Sequence, residues 1–321
     1  MSKSKEQIES IIMARTDLYD AVRSFFIERG YLEVETPLMV RSPGMEPNLD
    51  PFVVFTSPFR GAEKQGGKAP NKYALITSPE YSMKKLLGAG LEKIFTITKV
   101  FRSGESETSE WHNPEFSMLE WYEQGTDYIQ GMEMTEQLVV HCAERVARRT
   151  SHVDLTVPWP RYRVRDLMLE HAGIDLDEDP FQGNDQDSPS DQFYRVWLEK
   201  VEPNLPKDRA FFIYDYPIYQ AALARTSPDG KYAERFEAYL GELELCNAFT
   251  ELVDPVEQRR RFEIEAEERV GLGKPVWPID EELLKVLPSI REPTFGNALG
   301  LDRLLMGLMG VEEIDGVLLI R

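Results

Sequence analysis

Residues 93–122, KIFTITKVFRSGESETSEWHNPEFSMLEWY, decide how the rest of the chain is read. Two runs rich in β-formers flank a polar connection, the pattern of two antiparallel strands joined by a long loop. Side chains alternate across a strand, so Phe116, Met118, Glu120 and Tyr122 share one face while Ser117, Leu119 and Trp121 share the other. An aromatic plate and a carboxylate therefore point the same way. Arg102 ends the first strand and His112 opens the second, which sets two groups able to hold anionic oxygens at the mouth of that face. The arrangement predicts a nucleotide pocket.

A chain of 321 residues fits either two domains or one large α/β or α+β domain, and is long enough to bury a core in either case. No apolar run approaches the ~18 residues of a membrane span, and Met-Ser-Lys-Ser-Lys-Glu at the start lacks an apolar signal segment, so a cytoplasmic protein is expected. Cys142 and Cys246 stand at no metal-ligand spacing, and His112, His141, His152 and His171 form no paired motif, so no structural zinc is expected. The 37 basic against 56 acidic residues disfavour extensive contact with a phosphate backbone.

Outward from the central stretch, Leu18, Val22, Phe25, Phe26 and Arg29 recur at helical spacing, which predicts an amphipathic helix ending at Gly30 and leading into a strand that runs toward Pro37. Gly61 to Pro70 has the glycines of a phosphate loop. Its lysine is displaced, however, and Ala69 replaces the expected hydroxyl, so it is read as a turn. Ser78-Pro79-Glu80 opens a helix that continues through Met83, Leu86 and Leu87. A long helix is expected from Tyr128 to Arg149, a mobile surface loop over 175–192, and a buried strand over 211–217. The helix over 255–270, with Arg259, Arg260 and Arg261, is expected to be solvated.

Residues 234–252 read as a hairpin turning near Gly241. Asn247, Phe249 and Glu251 share a face, but Glu244 has the opposite parity; if both carboxylates serve one pocket, a bulge must lie between them, around Cys246. From pattern alone, Glu237 and Glu244 are a solvated acidic edge.

Phe101-Arg102 followed by His112-Asn113-Pro114-Glu115-Phe116-Ser117-Met118-Leu119-Glu120 resembles the second signature motif of class II aminoacyl-tRNA synthetases in its lysyl-specific form. Gly296-Asn297-Ala298-Leu299-Gly300-Leu301-Asp302-Arg303 resembles the third motif, and the helix, strand and Pro37 resemble the first. The likeness runs from about Arg15 to the C-terminus. Within the group the chain is similar to the truncated lysyl-tRNA synthetase paralogs that attach (R)-β-lysine to elongation factor P. The resemblance implies a single class II catalytic domain over 1–321, an antiparallel sheet flanked by helices, and a homodimer joined through the first motif. Only 14 residues precede Arg15, so no anticodon-binding domain is expected.

The resemblance also assigns roles. Arg102 and Arg303 become catalytic, Arg102 on the α-phosphate of ATP and Arg303 with His112 on the γ-phosphate. Phe116 stacks on adenine, and Glu105, Asn113, Leu245 and Gly300 complete the ATP site. Glu237 and Glu244 carry Mg2+, reversing the preference from pattern alone. Ser78, Pro79, Glu80, Glu120, Tyr122, Asn247, Glu251 and Ala298 form the amino-acid site, whose paired carboxylates suit an ammonium. Ser78 and Ala298 match the β-lysine ligases more than the tRNA enzyme. The loop 103–111 departs from the family in being longer, with Gly104 where a glutamate is usual; Glu105 takes that role. Its glutamates and its lack of Arg or Lys would repel an RNA acceptor stem and attract a lysine-bearing protein loop.

The implied activity is an ATP-dependent ligase that activates (R)-β-lysine or lysine as an adenylate and passes it to a lysine ε-amine of elongation factor P. Two alternatives stay open. One is a minimal enzyme with tRNA or another amine as acceptor, and the other is a non-catalytic lysine or ATP sensor. Retention of the whole phosphate-clamping set argues against the sensor.

Overall fold

The computed structural model describes residues 3–56, 72–104, 110–146, 152–184 and 187–320. Eleven strands are present among them: β1 Leu32–Glu33, β2 Met39–Val40, β3 Val53–Phe55, β4 Lys72–Leu75, β5 Lys93–Phe101, β6 Glu115–Gln124, β7 Arg161–Arg163, β8 Ala210–Pro217, β9 Tyr232–Leu240, β10 Leu243–Thr250 and β11 Thr294–Gly300. The α-helices are α1 Lys5–Glu28, α2 Glu80–Gly88, α3 Tyr128–Arg145, α4 Val164–Ala172, α5 Pro189–Val196, α6 Pro255–Gly271, α7 Glu281–Val286 and α8 Leu301–Met309.

Eight strands form one sheet in the order β1-β5-β6-β11-β10-β9-β8-β7, and β2-β4-β3 form a small second one. The six central strands pair antiparallel, as expected from hairpin-length patterns, but β1 runs parallel to β5 and β7 parallel to β8. The large sheet is therefore mixed at its edges. The strand expected to run toward Pro37 is reduced to two exposed residues, because it lies at a sheet edge and proline offers no N–H to a ladder.

The face parity of β6 holds. Leu119 and Trp121 enter the main core, where Trp121 lies 5.3 Å from Phe26 of α1 and 6.3 Å from Phe295 of β11. Helices α1, α3 and α8 cover this face, and their buried stripes (Leu18, Val22, Phe25; Met132, Leu138, Cys142; Leu304, Leu305, Leu308) supply the rest of that core. Approach of α3 to the sheet depends on Gly131, where a Cβ would stand 2.2 Å from the Phe295 ring. The opposite face of the sheet is left for chemistry.

Two features depart from expectation. Helix α6 is not solvated all round: Arg259 and Arg260 pair with Glu281 and Glu257 at the surface, but Arg261 is buried and donates to the carbonyls of Ala222 (2.9 Å) and Ala224 (2.8 Å). Arg269 likewise caps the carbonyls of Glu46 (2.8 Å) and Leu49 (2.9 Å). Loop carbonyls without a ladder partner need donors, and a guanidinium reaches several at once. In the stretch expected as a surface loop, Asp175 is bound by Arg165 (2.5 Å), and Ser188 caps α5, whose start lies against the cavity described next.

Candidate active site

A cavity of about 1140 Å³ opens on the free face of the sheet. Its floor is β6, β11, β10 and β9, and its roof is α6 with the strap 218–223 and the start of α5. Sequence-predicted residues Ser78, Glu80, Arg102, His112, Asn113, Phe116, Tyr122, Glu237, Glu244, Leu245, Asn247, Ala298, Gly300 and Arg303 all line it. Glu105 and the turn at 61–70 lie outside the described residues.

One end of the cavity is cationic. The Arg102 guanidinium sits over the Phe116 ring, 5.3 Å from its centroid, with Nε 3.4 Å from the Thr77 carbonyl. Arg303 donates from Nη2 to His112 Nε2 at 2.7 Å and from Nη1 to the Glu244 carbonyl at 2.9 Å. Guanidinium is always a donor, so His112 Nε2 is the acceptor and carries no proton. Asn113 Nδ2 is tied to the Glu115 carbonyl at 2.6 Å. Arg303 is aimed by its neighbour Asp302, whose carboxylate takes Ser117 N–H (2.6 Å) and Arg15 Nη2 (2.6 Å), locking α8 to β6 and α1. At Gly300 a Cβ would make ordinary van der Waals contact with the Arg303 side chain, at 3.7 Å or beyond.

The hairpin of β9 and β10 turns at Gly241, with φ +62°, and its register slips between Glu244 and Cys246. That is the bulge which the parity of Glu244 requires. Leu245 is the extra residue; it packs into the core and also borders the cavity, while Glu244 joins Asn247 and Phe249 on the cavity side. Glu237 is held by Arg235 Nη2 (2.7 Å) on one oxygen and by Tyr216 (2.6 Å) and Tyr239 (2.7 Å) hydroxyls on the other. Arg235 also donates to Asn247 Oδ1 (2.8 Å) and to the Gln220 carbonyl (2.7 Å). A carboxylate has about four lone-pair sites, so Glu237 keeps one open toward a cation. Glu244 is less encumbered, with Oε2 3.9 Å from Arg303. Two oxygen ligands on one face, one of them oriented by its own partners, fit a magnesium ion that also binds substrate phosphates. Among the described residues no group of three or more His, Cys, Asp or Glu is placed to hold a metal alone.

The other end is a dry acidic pocket. Ser78 Oγ donates to Glu120 Oε1 (2.6 Å) and accepts from Glu80 N–H (3.0 Å), which places it between the β6 carboxylate and the start of α2. Pro79 occupies the helix N-cap position and forms no side-chain cap. Tyr122 donates to Glu120 Oε2 at 2.9 Å. Burial, reinforced by the charge on Glu80, pushes the Glu120 carboxyl up to about 8. Glu251 lies just beyond β10, completely buried. Room for it comes from Gly296, where a Cβ would stand 2.0 Å from Glu251 Oε1 and 2.5 Å from the Tyr122 ring. This glycine of the third motif thus admits the pocket's own side chains. Ala298 pairs in register with Glu120 on one side and Asn247 on the other, so its methyl lies between the two ends.

Sequence reasoning missed Lys84, whose ammonium bridges Glu80 (2.6 Å) and Glu251 (2.5 Å), although its i,i+4 spacing from Glu80 was a signal. It also missed Arg235, which shares the parity of Glu237, and the contribution of Ser188 to Tyr194 to the cavity wall.

A six-stranded antiparallel centre carrying a cationic cluster and a buried acidic pocket in one cavity defines the catalytic core of a class II synthetase. The chain belongs to the class II tRNA synthetases of the D, K and N type, whose family model matches residues 1–320. It is 36% identical over 315 residues to the elongation factor P–(R)-β-lysine ligase of Vibrio cholerae, covering 96% of this chain and 94% of that one. The ligases of the same name from Edwardsiella ictaluri and Haemophilus influenzae are each 36% identical, over 96% of this chain and 93% of their own length. No helix among the described residues is long and apolar enough to cross a membrane.

Proposed function

We propose that this chain activates (R)-β-lysine, or lysine, with ATP and transfers it to a lysine ε-amine of elongation factor P. The observation that carries this reading is the joining, in one cavity, of a phosphate-binding end (Arg102, His112, Arg303) to an acidic end where Ser78, Glu80, Tyr122 and Gly296 form the wall, backed by the buried Glu120 and Glu251. Relatives at 36% identity over nearly the whole chain, named for this reaction, support it.

In the first step a carboxylate oxygen of the amino acid attacks the α-phosphorus of ATP and pyrophosphate leaves. Charge builds on phosphoryl oxygens, so fixed cations and in-line positioning do the work and no proton-transfer triad is needed. Arg102, braced on Phe116, receives the α-phosphate. Arg303 and His112 clamp the far phosphates, with Phe116 stacking on adenine. Magnesium, when bound at Glu244 and the open site of Glu237, neutralises charge on the phosphates. Glu80, Glu120 and Glu251 orient the amino acid by its ammonium groups, with Ser78, Tyr122 and Asn247 as hydrogen-bonding partners. In the second step the acceptor amine attacks the adenylate carbonyl, an amide forms and AMP leaves.

The protein would act in the cytoplasm as a homodimer. Support for the dimer is the apolar surface that α1 and the chain after it leave exposed, at Ile12, Met13, Ile27, Leu32, Leu38 and Met39. The decisive experiment is the intact mass of elongation factor P after incubation with this protein, ATP and either lysine isomer, beside a tRNA charging control. A gain of one lysyl unit on the protein, larger with (R)-β-lysine, is expected. Charged tRNA with unmodified protein would overturn the acceptor, and absence of pyrophosphate exchange with every lysine isomer would overturn the enzyme.

A further inference from the structure

The acidic pocket already contains a cation. Lys84 is 1% exposed, and its Nζ lies between Glu80 Oε1 on its own helix and Glu251 Oε2 beyond β10, with the Phe249 ring 5.6 Å away. Glu251 gives one oxygen to Lys84; the other, Oε1, is buried with no hydrogen-bond partner and lies over Gly296 on the cavity floor. We propose that Lys84 is a positioning residue for substrate choice: a fixed counter-cation that bridges Glu80 and Glu251 and holds them apart, leaving Glu251 Oε1 to accept from the substrate's ammonium. The inference rests on the assignment of this pocket to the amino acid.

The physical case is one of charge in a dry site. Glu46, Glu80, Glu120 and Glu251 approach Lys84 from the loop before β3, α2, β6 and the end of β10, with the Tyr122 hydroxyl beside Glu120. Like charges in one buried space drive each other to take up protons. Burial opposes the charge on Lys84, yet the Glu251 and Glu80 carboxylates outweigh that and hold its ammonium above the ordinary lysine range. Burial raises the Glu251 carboxyl to about 8, and Lys84 is the largest influence pulling it back down. A protonated Glu251 would donate where it must accept, and an ammonium would gain nothing over a methyl group. Lys84 therefore decides whether the pocket distinguishes a cationic side chain from a neutral one of the same shape.

The test is amino-acid-dependent ATP–pyrophosphate exchange by the full chain at pH 7 and pH 9, with lysine isomers and with norleucine, a neutral analogue that lacks the ε-ammonium. Lys84→Met removes the charge on an unbranched chain one atom shorter, and Lys84→Arg keeps the charge. In Lys84→Met, KM for lysine is expected to rise at least about tenfold at pH 7 and to recover part of that loss by pH 9, as Glu251 ionises without its counter-cation. KM for ATP should stay within about twofold, and preference for lysine over norleucine should fall by about tenfold at pH 7. Lys84→Arg should retain that preference. A loss equal at both pH values, or shared with ATP, would show that Lys84 only fills space, and so would an undiminished preference for lysine. Should Lys84→Met fail to fold, loss of preference in Lys84→Arg overturns the proposal by itself. Lack of exchange by the unaltered protein with every lysine isomer would instead sink the function, and the premise of this role with it.

Discussion

The two ends of the cavity solve opposite problems. At the nucleotide end the charged groups are partly open: the Glu244 side chain is 42% exposed and Arg303 21%. They are held by backbone carbonyls and by one another. At the amino-acid end Lys84 and Glu251 are sealed from water and neutralised within the protein. A triphosphate arrives with several charges of its own, so the protein needs cations in the right places more than it needs dryness. A single ammonium must be told from a methyl group, and that difference is large only where water cannot take either side. On the proposed assignment, the cationic end is built for rate and the acidic end for choice.

That division can be broken most forcefully at Arg102. Arg102→Ala is expected to lower kcat for pyrophosphate exchange about 10²–10³-fold while leaving amino-acid binding nearly unchanged, as removal of one preorganised donor does elsewhere. Equal loss of amino-acid affinity by calorimetry would mean that the ends are not separate. Glu251→Gln is the mirror experiment: it strands Lys84 and removes the negative charge, so amino-acid KM should rise about 100-fold with ATP KM held within about twofold. Ala298→Gly lies between the ends and should shift the ratio of specificity constants toward α-lysine by about tenfold, the worth of one methyl in a tight pocket; an unchanged ratio would remove Ala298 from specificity.

The smallest effect is expected from pH. Glu120 is raised to about 8, so in the empty pocket it is protonated at pH 6.5 and must lose that proton to receive an ammonium. Amino-acid affinity should therefore increase from pH 6.5 to 8, by no more than about tenfold per unit for one proton, and flatten above. Calorimetry in buffers of different ionisation enthalpy would detect the released proton. Flat affinity across this range would show that Glu120 is ionised before the substrate arrives.

Much of this was legible in the sequence wherever parity governs. Phe116, Glu120 and Tyr122 could be set on one face of β6 from their spacing, and the wrong parity of Glu244 called for the bulge found at Leu245. The roles of ATP ligands came from resemblance, and the folded chain gathers those of them that are described into one cavity. What stayed hidden depends on contacts distant in sequence. Lys84 reads as a surface partner of Glu80 until Glu251 closes over it. Arg261 and Arg269 read as solvated until the carbonyls of 222–224 and 46–49 are seen to lie against them. The short β1 and the parallel edges follow from where helices return the chain, which no local pattern records.

The bulge at Leu245 makes β10 sensitive to length in a way that it is not to side-chain size. Upstream of it the cavity is served by one frame of the two-residue repeat, downstream by the other. Deleting a residue between Glu244 and Glu251 would turn one set of ligands into the core while leaving the other in place, separating phosphate handling from amino-acid handling in a single step. Insertions and deletions in this hairpin should therefore be confined to the turn at 241–242, with the strand itself varying only by replacement.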